Sequence, residues 1–83
     1  MSFELIYTKR AVKDVEKLDS LAKKRLAKKL LQLQNNPNVY STKLVDSKQG
    51  DFRAKFGNYR VIFDLKEGKV VVLRIGHRRE IYR

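Results

Sequence analysis

Gly50-Asp51-Phe52-Arg53-Ala54-Lys55-Phe56-Gly57-Asn58-Tyr59-Arg60 is the stretch that decides the fold of this 83-residue chain. Apolar residues alternate with cations through it, so an extended strand sends Phe52, Ala54 and Phe56 to one face and Arg53 and Lys55 to the other. Gly57-Asn58 has the composition of a two-residue hairpin turn, which sets Phe56 opposite Tyr59, Lys55 opposite Arg60 and Ala54 opposite Val61. Two cations then face each other across the strands. Like charges in that position destabilise a sheet, and their presence points to an anionic ligand, with this charge pattern a phosphate.

Working outward, the strand at 51–56 pairs with a second at 59–66, and Glu67-Gly68 turns that strand into a third at 69–75. Upstream, Phe3, Leu5 and Tyr7 alternate with Ser2, Glu4 and Ile6 as a short first strand. Thr8 is placed to cap a helix over 9–18, in which Ala11, Val15 and Leu18 recur at helical spacing. Asp19-Ser20 breaks the chain and caps a second helix over 21–34. Its stripe is Ala22, Leu26, Leu30 and Leu33, and Asn35-Asn36-Pro37 stops it. Residues 38–49 read as a loop packed partly on the domain. The expected fold is α+β, one domain over 1–83 in the order β-α-α-β-β-β, with a helical hairpin on one face of a small, mainly antiparallel sheet.

Twenty Lys and Arg against nine Asp and Glu give a formal charge of +11, which favours encounters with polyanions or acidic proteins. A chain without cysteine and with one histidine has neither a disulfide framework nor a thiolate metal site. No segment approaches the roughly 20 apolar residues of a membrane span, which points to a soluble, cytoplasmic protein without membrane contact. The helix cations Lys23, Lys24, Arg25, Lys28 and Lys29 are read as a solvated face that steers long-range encounters.

The chemistry is sought elsewhere. Arg53, Lys55 and Arg60 project from the face opposite Phe52, Ala54, Tyr59, Val61 and Phe63, where arginine forks and a lysine charge could hold a phosphodiester and the extra negative charge of its transition state. The competing reading is an ordinary solvated sheet face. Gly76-His77-Arg78-Arg79-Glu80-Ile81-Tyr82-Arg83 adds arginines and an aromatic, but strict alternation sends Arg78 to the wrong side. A bulge or bend at Gly76 would repair this. His77 invites an acid/base role, since imidazole ordinarily titrates near neutrality, yet at a strand end it is read as a hydrogen-bonding structural residue. Tyr82 is either a base-stacking or proton-transferring group, or a packed terminal aromatic.

Phe52-Arg53-Ala54-Lys55-Phe56-Gly57-Asn58-Tyr59-Arg60-Val61 and Gly76-His77-Arg78-Arg79-Glu80-Ile81-Tyr82-Arg83, following two helices, resemble the central hairpin and C-terminal signature of the RelE branch of the RelE/ParE toxin superfamily. The resemblance covers nearly the whole chain. It implies a type II toxin that cuts messenger RNA in the ribosomal decoding site, with the RNA's own 2′-hydroxyl as nucleophile, no metal or other cofactor, and a RelB-like antitoxin as cognate partner. Carried over residue by residue, Arg53, Lys55 and Arg60 hold the scissile phosphate, Arg78 stabilises the departing 5′-oxygen, and Tyr82 stacks on or activates the nucleotide. Arg53 replaces a lysine of well-known members, and the spacing from Arg78 to Tyr82 is shorter. Two alternatives stand beside this one: a ParE-like inhibitor of DNA gyrase, and a catalytically silent basic RNA-binding module.

Overall fold

The computed structural model of the chain describes residues 2–45 and 50–81. Its elements run β1 (Glu4–Tyr7), α1 (Lys9–Glu16), α2 (Ser20–Asn35), β2 (Thr42–Lys43), β3 (Phe52–Phe56), β4 (Tyr59–Lys66) and β5 (Lys69–His77). The strands form one sheet in the order β1-β5-β4-β3-β2, antiparallel except for the parallel pair β1 and β5. Against expectation there is a further strand: the two-residue β2 pairs with Phe52 and Arg53 at the edge of β3, inside the segment read as a loop. A strand so short carries no periodicity to detect. Among the described residues, no helix is long and apolar enough to cross a membrane.

Capping sets the helix starts. Thr8 Oγ1 accepts from the Ala11 N–H at 3.1 Å, and Asp19 Oδ1 from the Ala22 N–H at 2.8 Å, each satisfying a donor that lacks an intrahelical partner. The helical stripes Ala11 and Leu18, and Ala22, Leu26, Leu30 and Leu33, are buried against Ala54, Phe56, Val61, Phe63, Val70, Val72 and Ile75 of the sheet. Cross-strand aromatic pairs extend this layer, Phe52 on Phe63 with centroids 5.4 Å apart and Phe56 on Tyr59 at 5.3 Å.

The hairpin register is the one that the alternation requires: Phe56 pairs with Tyr59, Lys55 with Arg60 and Ala54 with Val61. At the turn, φ is positive at Gly57 (59°) and not at Asn58, the pattern of a type II′ turn, whereas Glu67 (48°) and Gly68 (76°) both lie in the left-handed region, as type I′ demands.

The irregularity expected at Gly76 lies three residues earlier. Val61 pairs with Ile75 and Ile62 with Arg74, but Phe63 pairs with Val72, leaving Leu73 as the extra residue of a bulge. Gly76 pairs regularly with Arg60. The displaced bulge resets the alternation so that Ile75 enters the core instead of sharing the cationic face. Polar groups from α1 and its cap hold the bulge in place. Thr8 Oγ1 donates to the Leu73 carbonyl at 3.0 Å, and the buried Asp14 carboxylate accepts from the Ile75 N–H and from Arg74 Nε, each at 2.9 Å. The side of the sheet away from the helices is not wholly polar, since Ile62 is completely buried there. A Cβ on Gly50 would lie 2.8 Å from both Ile62 Cγ2 and Leu73 Cδ1, so the backbone at 50 lies directly over them.

Candidate active site

The site is assembled around the β3–β4 turn. On β3, Arg53 and Lys55 alternate with the buried Ala54 and Phe56 and therefore occupy the face turned away from the helices. Register then sets Arg60 directly beside Lys55, at a Cα separation of about 4.5–5.5 Å for an antiparallel pair. On its other side Arg60 pairs with Gly76, which offers no side chain. The Arg60 guanidinium folds over its own turn, Nη1 donating to the Tyr59 carbonyl at 2.8 Å and to the Gly57 carbonyl at 3.4 Å. Arg78 is brought to the same turn by its backbone, whose N–H donates to the Asn58 carbonyl at 2.8 Å.

Lys55, Arg60 and Arg78 thus gather at one end of the sheet, with Arg53 two residues further along β3. The fifth expected residue, Tyr82, lies outside the described residues. His77 does not join the cations. It pairs with Tyr59, meets that ring edge-on at 5.6 Å, and its Nδ1 accepts from the Arg79 N–H at 3.2 Å. Its carbonyl receives the Glu80 and Ile81 N–H groups, closing the turn that follows β5 and leaves Ile81 buried against Gly76. The structural reading of His77 therefore accounts for its contacts.

Part of the site escaped the sequence. Lys23, Lys24, Arg25 and Lys28 are all exposed, and of the helix cations Arg25, Lys28 and Lys29 line a cleft with Lys55, Phe56 and Gly57, while Lys29 also lines an adjoining cleft with Arg53, Lys55 and Tyr40. The Arg25 guanidinium reaches the hairpin turn, where a Cβ added at Gly57 would lie 3.4 Å from Arg25 Nη1, at the edge of ordinary van der Waals contact. The available signal was the spacing of Arg25, Lys28, Lys29 and Gln32 along one flank of the apolar stripe. On the opposite side, a groove of about 400 Å³ between the helices is lined mainly by apolar residues, with Tyr7 and Leu26 among them, and burial raises the Tyr7 phenol above its ordinary pKa.

An array of guanidinium and ammonium groups, with no carboxylate among the described residues lining either cleft, can bind phosphate oxygens and favour a state in which phosphorus carries extra negative charge. Residues 5–82 match the family described as the ParE toxin of the type II toxin-antitoxin system parDE. The chain belongs to the RelE/ParE family of type II toxin–antitoxin toxins. Solved structures of RelE toxins and RelBE complexes superpose on nearly all of it. The RelBE2 toxin-antitoxin complex of Mycobacterium tuberculosis matches at 25% identity and a TM-score of 0.85, over 94% of this chain and 100% of that one. The isolated Escherichia coli RelE toxin matches at 26% identity and a TM-score of 0.79, over 98% and 92%. The intact E. coli RelBE complex gives 26% identity and a TM-score of 0.74, over 92% and 96%. No curated protein sequence matches the chain.

Proposed function

We propose that this RelE/ParE-family toxin is a ribosome-dependent endoribonuclease that cleaves messenger RNA in the decoding site. The observation that carries the proposal is the register pairing of Lys55 with Arg60, joined by Arg78 through the hydrogen bond from its N–H to the Asn58 carbonyl. In the reaction, the 2′-oxygen attacks the adjacent phosphorus, the bond from phosphorus to the 5′-oxygen breaks, and a cyclic phosphate and a free 5′-hydroxyl result. The 2′-hydroxyl proton is given up and the 5′-oxygen gains one. Arg53, Lys55 and Arg60 hold the phosphate and its developing charge. Arg78 stabilises the leaving oxygen electrostatically, because a guanidinium keeps its proton in proteins. Tyr82 stacks on or activates the nucleotide. The partner that silences the toxin is a RelB-like antitoxin, a reading supported by the antitoxin complexes of the relatives and by a surface of net charge +11.

A second reading, inhibition of DNA gyrase by protein binding, is favoured by the ParE description of the matching family. Growth arrest separates the two when combined with a supercoiling assay. Arg60→Ala and Arg78→Ala should each abolish arrest while retaining the wild-type circular dichroism spectrum, and gyrase should remain active. Arrest that persists in both folded variants, accompanied by loss of supercoiling, would establish the second reading instead.

A further inference from the structure

The clefts between α2 and β3 extend the cationic surface well beyond the four proposed catalytic cations. One cleft, of about 320 Å³, contains Arg25, Lys28, Lys29 and Lys55; the other, of about 360 Å³, contains Lys29, Tyr40, Arg53 and Lys55. Lys29 and Lys55 belong to both, so the two are continuous. The run is possible because β2 pairs with only Phe52 and Arg53, leaving the edge of β3 at Lys55 facing α2. Within it, Lys29 Nζ lies 5.5 Å from the centroid of the Tyr40 ring, while Tyr40 remains 40% exposed. An aromatic ring backed by a cation on one side and open to solvent is a platform for a planar π-system, and the run of cations along these clefts, with no acid among the described lining residues, can follow a chain of phosphates.

We propose that this path is a second binding track for single-stranded RNA. Phosphates flanking the cleaved one would lie on Arg25, Lys28 and Lys29, and one unpaired base would stack on Tyr40. The proposal rests on the nuclease reading for its direction, since Lys55 links the track to the cleavage site. Single-stranded RNA fits better than a duplex, whose bases are already stacked and unavailable to Tyr40. It also fits better than an acidic protein segment, which would satisfy the cations but has no need of an exposed, cation-backed ring.

The test uses the full chain and a fluorescein-labelled, fully 2′-O-methylated RNA dodecamer, which lacks the nucleophile and reports binding without cleavage. Anisotropy is measured from 50 to 200 mM NaCl. For Arg25→Gln/Lys28→Gln, both at exposed helical positions where glutamine sustains the helix, the salt slope should fall by about 1.4, or roughly 0.7 for each lost phosphate contact. Tyr40→Ala should weaken binding by roughly 5- to 150-fold without altering that slope, and Tyr40→Phe should restore it. Unchanged slope in the double variant together with unchanged affinity in Tyr40→Ala overturns the track. So does a double variant that binds RNA normally but has lost affinity for an acidic, antitoxin-derived peptide. Because the probe cannot be cut, failure of cleavage in a translation assay would remove the nuclease reading while leaving the binding result intact.

Discussion

Replacing Asp14 by alanine removes the carboxylate that holds the β5 bulge. Asp14 is 7% exposed, and its Oδ2 accepts from both Arg74 Nε and the Ile75 N–H at 2.9 Å. Loss of the acceptor strands the amide of Ile75, a residue only 1% exposed, at a cost of about 1–3 kcal/mol. The Arg74 side chain is 25% exposed and can recover solvent, so its lost ion pair adds only about 0.5–1 kcal/mol. The expected destabilisation is therefore about 1.5–4 kcal/mol. At roughly 0.05–0.15 kcal/mol per residue, an 83-residue chain is stable by about 4–12 kcal/mol, so the change is severe. Asp14→Asn keeps an acceptor for the amide and should cost about half as much. Urea unfolding provides the assay. With m near 1 kcal/mol/M, the Asp14→Ala midpoint should fall by about 1.5–4 M without a change in m. A shift equivalent to less than about 0.5 kcal/mol, the level of an ordinary surface substitution, would refute the reasoning. Equal losses in the two variants would show that the charge on Arg74, and not the amide, dominates.

The turns, the covered face and the cationic hairpin give further expectations. Glu67→Asn should stabilise the chain by about 0.5–1 kcal/mol in the same assay, because asparagine tolerates the left-handed backbone found at φ 48° better than glutamate. Gly50→Ala should destabilise it by about 1–3 kcal/mol, since the new methyl meets the buried Ile62 and the half-buried Leu73 at 2.8 Å. Burial raises the Tyr7 pKa in the folded protein, so the unfolded phenol ionises first and the Tyr7 contribution to stability is lost as pH climbs from about 10 through the raised value; Tyr7→Phe should flatten that alkaline fall in a pH series of melts. Arg60→Ala should leave the stability from urea unfolding within about 0.5 kcal/mol of the parent, as among the described residues its side chain bonds to the carbonyls of its own turn.

The hairpin was legible in the sequence because its alternation has a strict period of two and its turn residues admit one pairing. A slip of a single residue would have buried Arg53 and Lys55. The helical stripes were legible for the corresponding reason. The bulge position was not, because it is decided by partners more than 60 residues away, Thr8 and Asp14, rather than by a local glycine. Gly76 drew the expectation as the conspicuous small residue of the strand, but it pairs regularly with Arg60 on β4 and Ile81 packs beside it. Of the site, the alternation exposed Arg53, Lys55 and Arg60, and Arg78 followed from family resemblance. Arg25, Lys28 and Lys29 stayed hidden because periodicity separates a helix's buried stripe from its polar face but does not say which polar flank meets a neighbouring strand.

The most direct test of the proposed activity is primer extension on a defined message in a purified translation system, with and without ribosomes, comparing this toxin with its Arg60→Ala variant. Cuts that require ribosomes and vanish in the folded variant are the predicted result. An intact message in the presence of ribosomes, under conditions where the same toxin preparation arrests growth, would contradict it.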